Sequence, residues 1–422
     1  MGLVCLFLTT ASFASDAVEV LENEDAHSIK NSVEPVMEAE EKSIVSVDTF
    51  EKMFTQGKVS GELRSVYAAY DKKASTETDT YATAIGGGLK YELASFYGLN
   101  AGVAFMTSHD LSFATGDSAK GRQNDELSSA TGNYTELSEA YINYTYDGLN
   151  LRAGRQVVDT PLADSDDIRM IKNTFEAYVA TYDISDFSFM AGNLQKWQGV
   201  DAGLANKWTN KTGQDGTWFG GVAFGSDLVD ASVWYYNITK STDAVYADID
   251  LHHNYSDDVM VHTAFQYLNE KELNNSGTEA DIYGALIELE VYGLDLNVAY
   301  NKAKKITGKS SFSGFGGGTL YTSMDTMILD NIADDRAASA IVGAVSYAIG
   351  DLNFVYAYGS FNGDKDSGGT KAHIVEQDMG VEYSLDDSFV ASVYYIISSD
   401  EESSAKTTDD WDRVQVTLGY SF

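Results

Sequence analysis

From Lys58 to Phe422 the chain is written in period two. Leu294, Leu296, Val298 and Tyr300 alternate with Asp295, Asn297, Ala299 and Asn301. Leu352, Phe354, Tyr356 and Tyr358 do the same, and the last residues repeat it through Val414, Val416, Leu418, Tyr420 and Phe422. Successive side chains of a strand point to opposite faces, so each run makes a strand with one apolar face and one small or polar face. Alternation alone does not choose between water and membrane, because a soluble sandwich buries the same apolar face in its core.

The connections choose. Tight joins recur at Asp147-Gly148, Ser185-Asp186, Ser226-Asp227, Ser256-Asp257-Asp258, Tyr292-Gly293, Gly350-Asp351 and Asp386-Asp387, with a slightly longer one near Ser95 to Gly98. They alternate with longer polar segments at 72–78, 108–133, 157–173, 195–215, 239–243, 271–278, 303–335, 363–370 and 400–408. A sandwich has no reason to gather its long loops at one end, whereas outer-membrane barrels have short periplasmic turns and long external loops. The segments predict an all-β fold, a transmembrane antiparallel β-barrel of about 18 strands, with both ends of the sheet in the periplasm. No apolar run reaches the roughly 18 residues of a spanning helix. The 27 Tyr, 37 Gly and 2 Pro suit a barrel, and a mean hydropathy of -0.22 is compatible with membrane only through alternating strands. A net charge of -36 excludes nucleic acid as a partner, since that affinity comes from Lys and Arg on phosphates.

Ahead of the barrel, residues 1–14 (MGLVCLFLTTASFA) read as a signal peptide ending near Ala14, without the usual basic n-region. Cys5, the single cysteine, lies inside it and too early for a lipobox. Residues 15–57 form an acidic periplasmic extension that buries little. Within it, DTFEKMF predicts a short helix capped by Asp48, with Glu51 at the third position.

Between the strand-like runs at 149–156 and 174–182 lie Asp159, Pro161, Asp164, Asp166, Asp167 and Arg169. Pro161 cannot donate to a ladder, which makes this excursion a loop. The stretch LNLRAGRQVVDTPLADSDDIRMIKNTFEAYVATY resembles the segment carrying the third extracellular loop of OprD-type outer-membrane porins. GKVSGELR at 57–64 resembles the opening strand of the epsilonproteobacterial members, and DDIRMIKNTFE at 166–176 resembles the segment closing their constriction loop. The resemblance implies an 18-stranded channel of the outer membrane whose third loop folds inward and narrows it. It also implies an arginine ladder facing an acidic loop, and this chain has seven arginines from which to build one.

A narrow aqueous pore in a low-dielectric wall focuses the field of its charges and sorts ions by sign. The candidate constriction is therefore Asp159, Asp164, Asp166 and Asp167 opposed by Arg169 and Lys172, all in 157–173. Alternation turns Glu62, Arg64, Arg152 and Arg413 toward the pore wall. Arg152 and Arg155 cannot both face inward on a regular strand, so one lies at an interface or a bulge intervenes. Each wall arginine has an equal alternative as a structural partner of a wall carboxylate. Asp164 to Asp167 offers oxygens to Ca²⁺ but lacks the spacing and glycine of an EF-hand loop, so solvation is favoured and no cofactor is expected.

The six histidines are scattered, and His252 with His262 on the lumen face are too few to argue for a metal. No nucleophile–base constellation points to an enzyme. Phe422 ends the last strand on an aromatic residue, the signature of substrates of the outer-membrane assembly machinery. Tyr235, Tyr236, Tyr394, Tyr395, Trp234 and Trp411 suit interfacial girdles. The expected function is passive diffusion of small hydrophilic solutes and ions, mildly cation-preferring, by a barrel surrounded by outer-membrane lipid and lipopolysaccharide, with a homotrimer as one assembly. The alternative is an adhesive or structural barrel acting through loops 108–133 and 303–335, where Gly314, Gly316, Gly317 and Gly318 suggest mobility.

Overall fold

The computed structural model describes residues 44–128, 133–165, 169–203, 208, 216–256, 259–386 and 388–422. The expected signal peptide, Cys5, most of the expected acidic extension, Asp166, Asp167, Asp257, Asp258 and Asp387 lie outside them. Eighteen long antiparallel strands close into a barrel. The first, β1 (Lys58–Lys72), pairs with β2 (Thr80–Glu92) on one edge and with β18 (Trp411–Ser421) on the other, Glu62 facing Ser421 and Lys72 facing Trp411. Between them run β3 (Leu99–Asp110), β4 (Asn133–Tyr146), β5 (Leu149–Gln156), β6 (Thr174–Ile184), β7 (Phe187–Gln198) and β8 (Thr217–Gly225). The far side is β9 (Val229–Ile238), β10 (Thr242–Ser256), β11 (Val259–Glu272), β12 (Ala280–Val291) and β13 (Leu294–Ala303). β14 (Ala338–Ile349), β15 (Leu352–Gly363), β16 (Ala372–Asp386) and β17 (Phe389–Asp400) return to β18.

The barrel closes because a lipid-embedded sheet has no water to satisfy an open edge. Its outward face is apolar: Leu63, Phe105, Ile142, Val233, Ile287 and Val298 are all exposed on it, which is stable in lipid and costly in water. Four of the short joins are two-residue turns with left-handed residues, as at Asp147 (φ 46°) and Gly148 (φ 79°), the geometry that matches the twist of a hairpin.

Three features depart from the sequence reading. The six-residue helix α1 (Phe50–Thr55) is capped by Thr49, whose hydroxyl accepts from the Lys52 N–H, while Asp48 pairs instead with the Lys52 ammonium at 2.6 Å. The aromatic pairs do not all form girdles: Trp234, Tyr236, Tyr394 and Trp411 are buried inward, while Tyr235 and Tyr395 face out. Neighbours in a strand must split between faces, so no adjacent pair can serve one girdle.

The third departure is the largest. Residues 304–337 are not a mobile surface loop but fold into the barrel, burying Phe315, Leu320, Met324 and Leu329 against the inner faces of the wall. Their glycines serve geometry instead. Gly316 sits at φ 128°, and a Cβ there would meet the Asp164 carbonyl oxygen at 2.8 Å, so glycine is what lets this loop touch the third one. The end of the 111–128 segment also turns inward, with the Ser108 hydroxyl donating to the Leu127 carbonyl at 2.6 Å and Leu127 fully buried, while Phe113 and residues 117–122 stay exposed. Much of the 304–337 loop that an adhesive barrel would display is therefore interior, whereas the 108–133 loop sends only its described end inward.

Candidate pore constriction

The third loop crosses the lumen on two apolar pads. Val158, Leu162 and Ala163 join the buried cluster shared with the 304–337 loop and β6–β9. Met170 and Ile171 join a second cluster with Val66, Ala84, Met106 and Leu127. Backbone hydrogen bonds tie the two loops edge to edge, from the Phe315 N–H to the Leu162 carbonyl at 2.9 Å and from the Asp164 N–H back to the Phe315 carbonyl at 2.8 Å. The Leu162 N–H donates to the Tyr236 hydroxyl at 3.3 Å, which anchors the loop to β9. Pro161 sits at the bend, where it has no N–H to lose, and its carbonyl accepts from the Thr319 hydroxyl.

Where the third loop returns, one charged junction joins three loops and two strands. The buried Arg413 guanidinium of β18 meets Asp325 of the 304–337 loop at 2.6 Å and Glu126 of the 111–128 segment at 3.3 Å. Arg169 of the third loop shares both carboxylates, at 3.4 Å from Glu126 and 3.6 Å from Asp325. Arg64 of β1 donates to the Arg169 carbonyl at 2.9 Å and pairs with Glu62 at 2.9 Å. Three guanidiniums face three carboxylates, so the junction is balanced. Burial pushes the Glu126 carboxyl up, but Arg413 and Arg169 outweigh it and hold that group below the ordinary carboxylate range. On β16, Glu376 and Asp378 accept backbone N–H groups of residues 325–327, at 3.0 Å for Thr326 and 3.3 Å for Asp325.

The other candidates distribute differently. The Asp159 carboxylate turns back to accept the Ser165 N–H at 2.8 Å; burial pushes this group above the ordinary range, against the pull of that N–H and of Lys172. It pins the loop's own turn. Asp164 contributes its backbone, and Asp166 and Asp167 lie outside the described residues, as does half of the candidate Ca²⁺ run. Arg152 is far along β5, with its guanidinium 4.4 Å from the Tyr141 ring centroid and its Nε 3.4 Å from the Asn143 side-chain oxygen. The alternation continues past Gly154 to the buried Gln156, so Arg155 lies out of phase with Arg152; it is half-buried and reaches Glu136 at 3.6 Å and Glu176 at 3.9 Å. Phe422 pairs its backbone with Gly61 at the closure and stays exposed.

Sequence reasoning missed two partners of the junction, Glu126 and Asp325, and the carboxylate wall opposite. Below the loops, β9–β13 point Asp230, Asp250, Glu288 and Glu290 inward, with Asp248 and Asp295 half-buried in the same inward series. Among the described residues, the buried inward positions of β9–β16 include no lysine or arginine. On the other side Lys90 of β2 lies 3.1 Å from Glu139 and 3.7 Å from Glu92. A signal for the wall was available, because Asp and Glu recur at every second residue of 248–250 and 288–290.

A family model described as outer membrane porin, OprD family, matches residues 52–422. No match is found among curated protein sequences. Solved structures with the same architecture include Acinetobacter baumannii OccAB4, at 14% identity and a TM-score of 0.73, covering 87% of this chain and 98% of that one. A BenF-like porin from Pseudomonas fluorescens Pf-5 matches at 13% identity and a TM-score of 0.73, over 87% and 98% of the two chains. Pseudomonas aeruginosa OpdK, solved with vanillate, matches at 13% identity and 0.71, over 87% and 99%.

Proposed function

The chain belongs to the OprD family of outer membrane porins, and on that premise we propose that its channel passes cations and neutral hydrophilic solutes ahead of anions. The family assignment makes it an outer-membrane channel. The observation that carries the preference is the carboxylate wall of β9–β13, where Asp230, Asp250, Glu288 and Glu290 lie buried on the inward face with no inward Lys or Arg among the described residues of those strands. A low-dielectric wall focuses that field into the lumen, raising the local concentration of cations and lowering that of anions.

The constriction is the balanced junction of Arg64, Arg169, Arg413, Glu126 and Asp325, with the third loop held across the barrel by its apolar pads. Guanidiniums committed to buried carboxylates have little field left to attract an anion. Vanillate, the molecule solved with OpdK, is a carboxylate; the acidic wall here favours the opposite sign of solute.

Planar-bilayer recording under a salt gradient tests this. The expected result is stable single-channel conductance with a reversal potential of cation sign. A reversal potential of anion sign would discard the preference while leaving the porin. Recording Asp166→Asn/Asp167→Asn beside it separates loop from wall: unchanged selectivity assigns the preference to the wall, and lost selectivity assigns it to the loop.

A further inference from the structure

We propose that the lumen carries a binding site for a divalent transition cation of the Zn²⁺, Ni²⁺ or Cu²⁺ class, formed by Asp250, His252 and His262 near the periplasmic exit. The site stands on side-chain geometry alone and does not depend on the ion-preference reading.

Register builds it. His252 of β10 is the direct cross-strand partner of His262 of β11, and both point inward. Asp250 precedes His252 by two residues and shares its face, opposite Ala264, a member of the small buried cluster on which Tyr321 of the 304–337 loop packs. Directly opposed residues of an antiparallel pair bring their Cβ atoms within about 5 Å, and the two imidazole centroids are 4.5 Å apart. One ligand atom from each of the three residues lies within 4.8 Å of the other two. A four-coordinate ion with bonds of about 2.0–2.1 Å holds its donors roughly 3.4 Å apart, so rotation of the side chains by about an ångström completes the set.

The surroundings are those of a metal site. Asp230 of β9 faces Asp250 across the ladder and places its Oδ2 3.0 Å from His252 Nε2, while Asp250 Oδ1 lies 3.9 Å from the same nitrogen, so a second carboxylate stands within reach of the cluster. On the other flank Glu288 of β12 is the cross-strand partner of His262. All five side chains are buried in the wall, so the cluster is packed in place. Two imidazoles and a carboxylate select borderline ions such as Zn²⁺ and Cu²⁺; Ca²⁺ and Mg²⁺ take oxygen sets instead. β10 ends at Ser256 and β11 begins at Val259, which puts the cluster only a few residues from the periplasmic rim, below the loop constriction. An ion leaving the constriction would meet it last.

The test uses the purified full chain in detergent and Zn²⁺ itself. Calorimetry should show one Zn²⁺ per barrel, with affinity falling at least tenfold in His252→Gln and in His262→Gln, while Mg²⁺ binding is unaffected by either change. Heat-modifiable electrophoretic mobility checks that each variant is folded. Should a variant not fold, Cu²⁺ electron paramagnetic resonance on the unaltered protein reads the same point, because nitrogen superhyperfine splitting reports imidazole ligation directly. Nitrogen splitting supports the site. A folded barrel that binds no Zn²⁺, variants that bind it as the parent does, or a Cu²⁺ spectrum with oxygen ligation alone would each overturn it.

Discussion

The two sides of this lumen treat charge in opposite ways. On the side of β1–β5 and β18, inward cations meet carboxylates, Arg413 with Asp325 at 2.6 Å, Arg64 with Glu62 at 2.9 Å and Lys90 with Glu139 at 3.1 Å. Across the barrel, β9–β13 line the lumen with Asp230, Asp250, Glu288 and Glu290, and the nearest cationic candidates are two histidines. The first side uses charge to fix loops, since every guanidinium of the junction touches an element other than its own. On the second side the 304–337 loop packs through Tyr321 and the apolar cluster of Ala264, Leu286 and Ala299, without an arginine or lysine on the described inward positions of the strands. On the proposed reading, one barrel separates charge that builds the constriction from charge that acts on the solute.

Breaking the balanced side should have the largest effect. Arg413→Met leaves Glu126 and Asp325 buried beside Arg169 alone, and removing one partner of a buried ion pair costs about 3–5 kcal/mol. The thermal midpoint of the heat-modifiable form should drop sharply, and channel current should become noisy as three loops lose their common anchor. Adding Glu126→Gln and Asp325→Asn to that variant should recover part of the loss, since the charges are then removed together.

Leu162→Ala tests whether apolar seating matters beside charge. Leu162 is 1% exposed in the pad that carries the third loop, and truncating a buried leucine costs about 2–5 kcal/mol. Conductance should rise with ion preference unchanged, because no charge moves; a changed reversal potential would mean that loop position, not the wall, sets selectivity.

Acid should loosen the junction selectively. Glu126 is held below its unfolded value, so its contribution is present above the ordinary carboxylate range and is lost as pH falls through its lower folded value. Single-channel noise rising at that acid end, and absent in Glu126→Gln, is the expected record. The smallest effect on stability should come from the other side. Glu288→Gln/Glu290→Gln/Asp295→Asn relieves like-charge repulsion and should leave the thermal midpoint equal to or slightly above the parent's.

The barrel was legible because alternation and turn spacing are local. The joins at Asp147-Gly148 and Tyr292-Gly293 and the loop at 157–173 were read at their observed places. Inward faces for Glu62, Arg64, Arg152 and Arg413 followed from the same period. The interior was less legible, because what a loop does inside a barrel depends on contacts distant in sequence. Gly316 and Gly317 read as mobility, yet their backbone geometry lets 304–337 lie against the third loop; Phe315, Leu320 and Met324 were the overlooked apolar signal. Glu126 and Arg413 are 287 residues apart, and no spacing rule joins them. The histidine pair was visible as two lumen-facing residues, but only the register of β10 with β11 shows that they are directly opposed.

The most direct test of the division of labour is the reversal potential of Glu288→Gln/Glu290→Gln/Asp295→Asn in a planar bilayer, under the salt gradient used for the parent. The reversal potential should move toward zero while single-channel conductance and barrel stability are retained. An unchanged reversal potential from a folded triple variant would contradict that division of labour, and would return selectivity to the loops at the constriction.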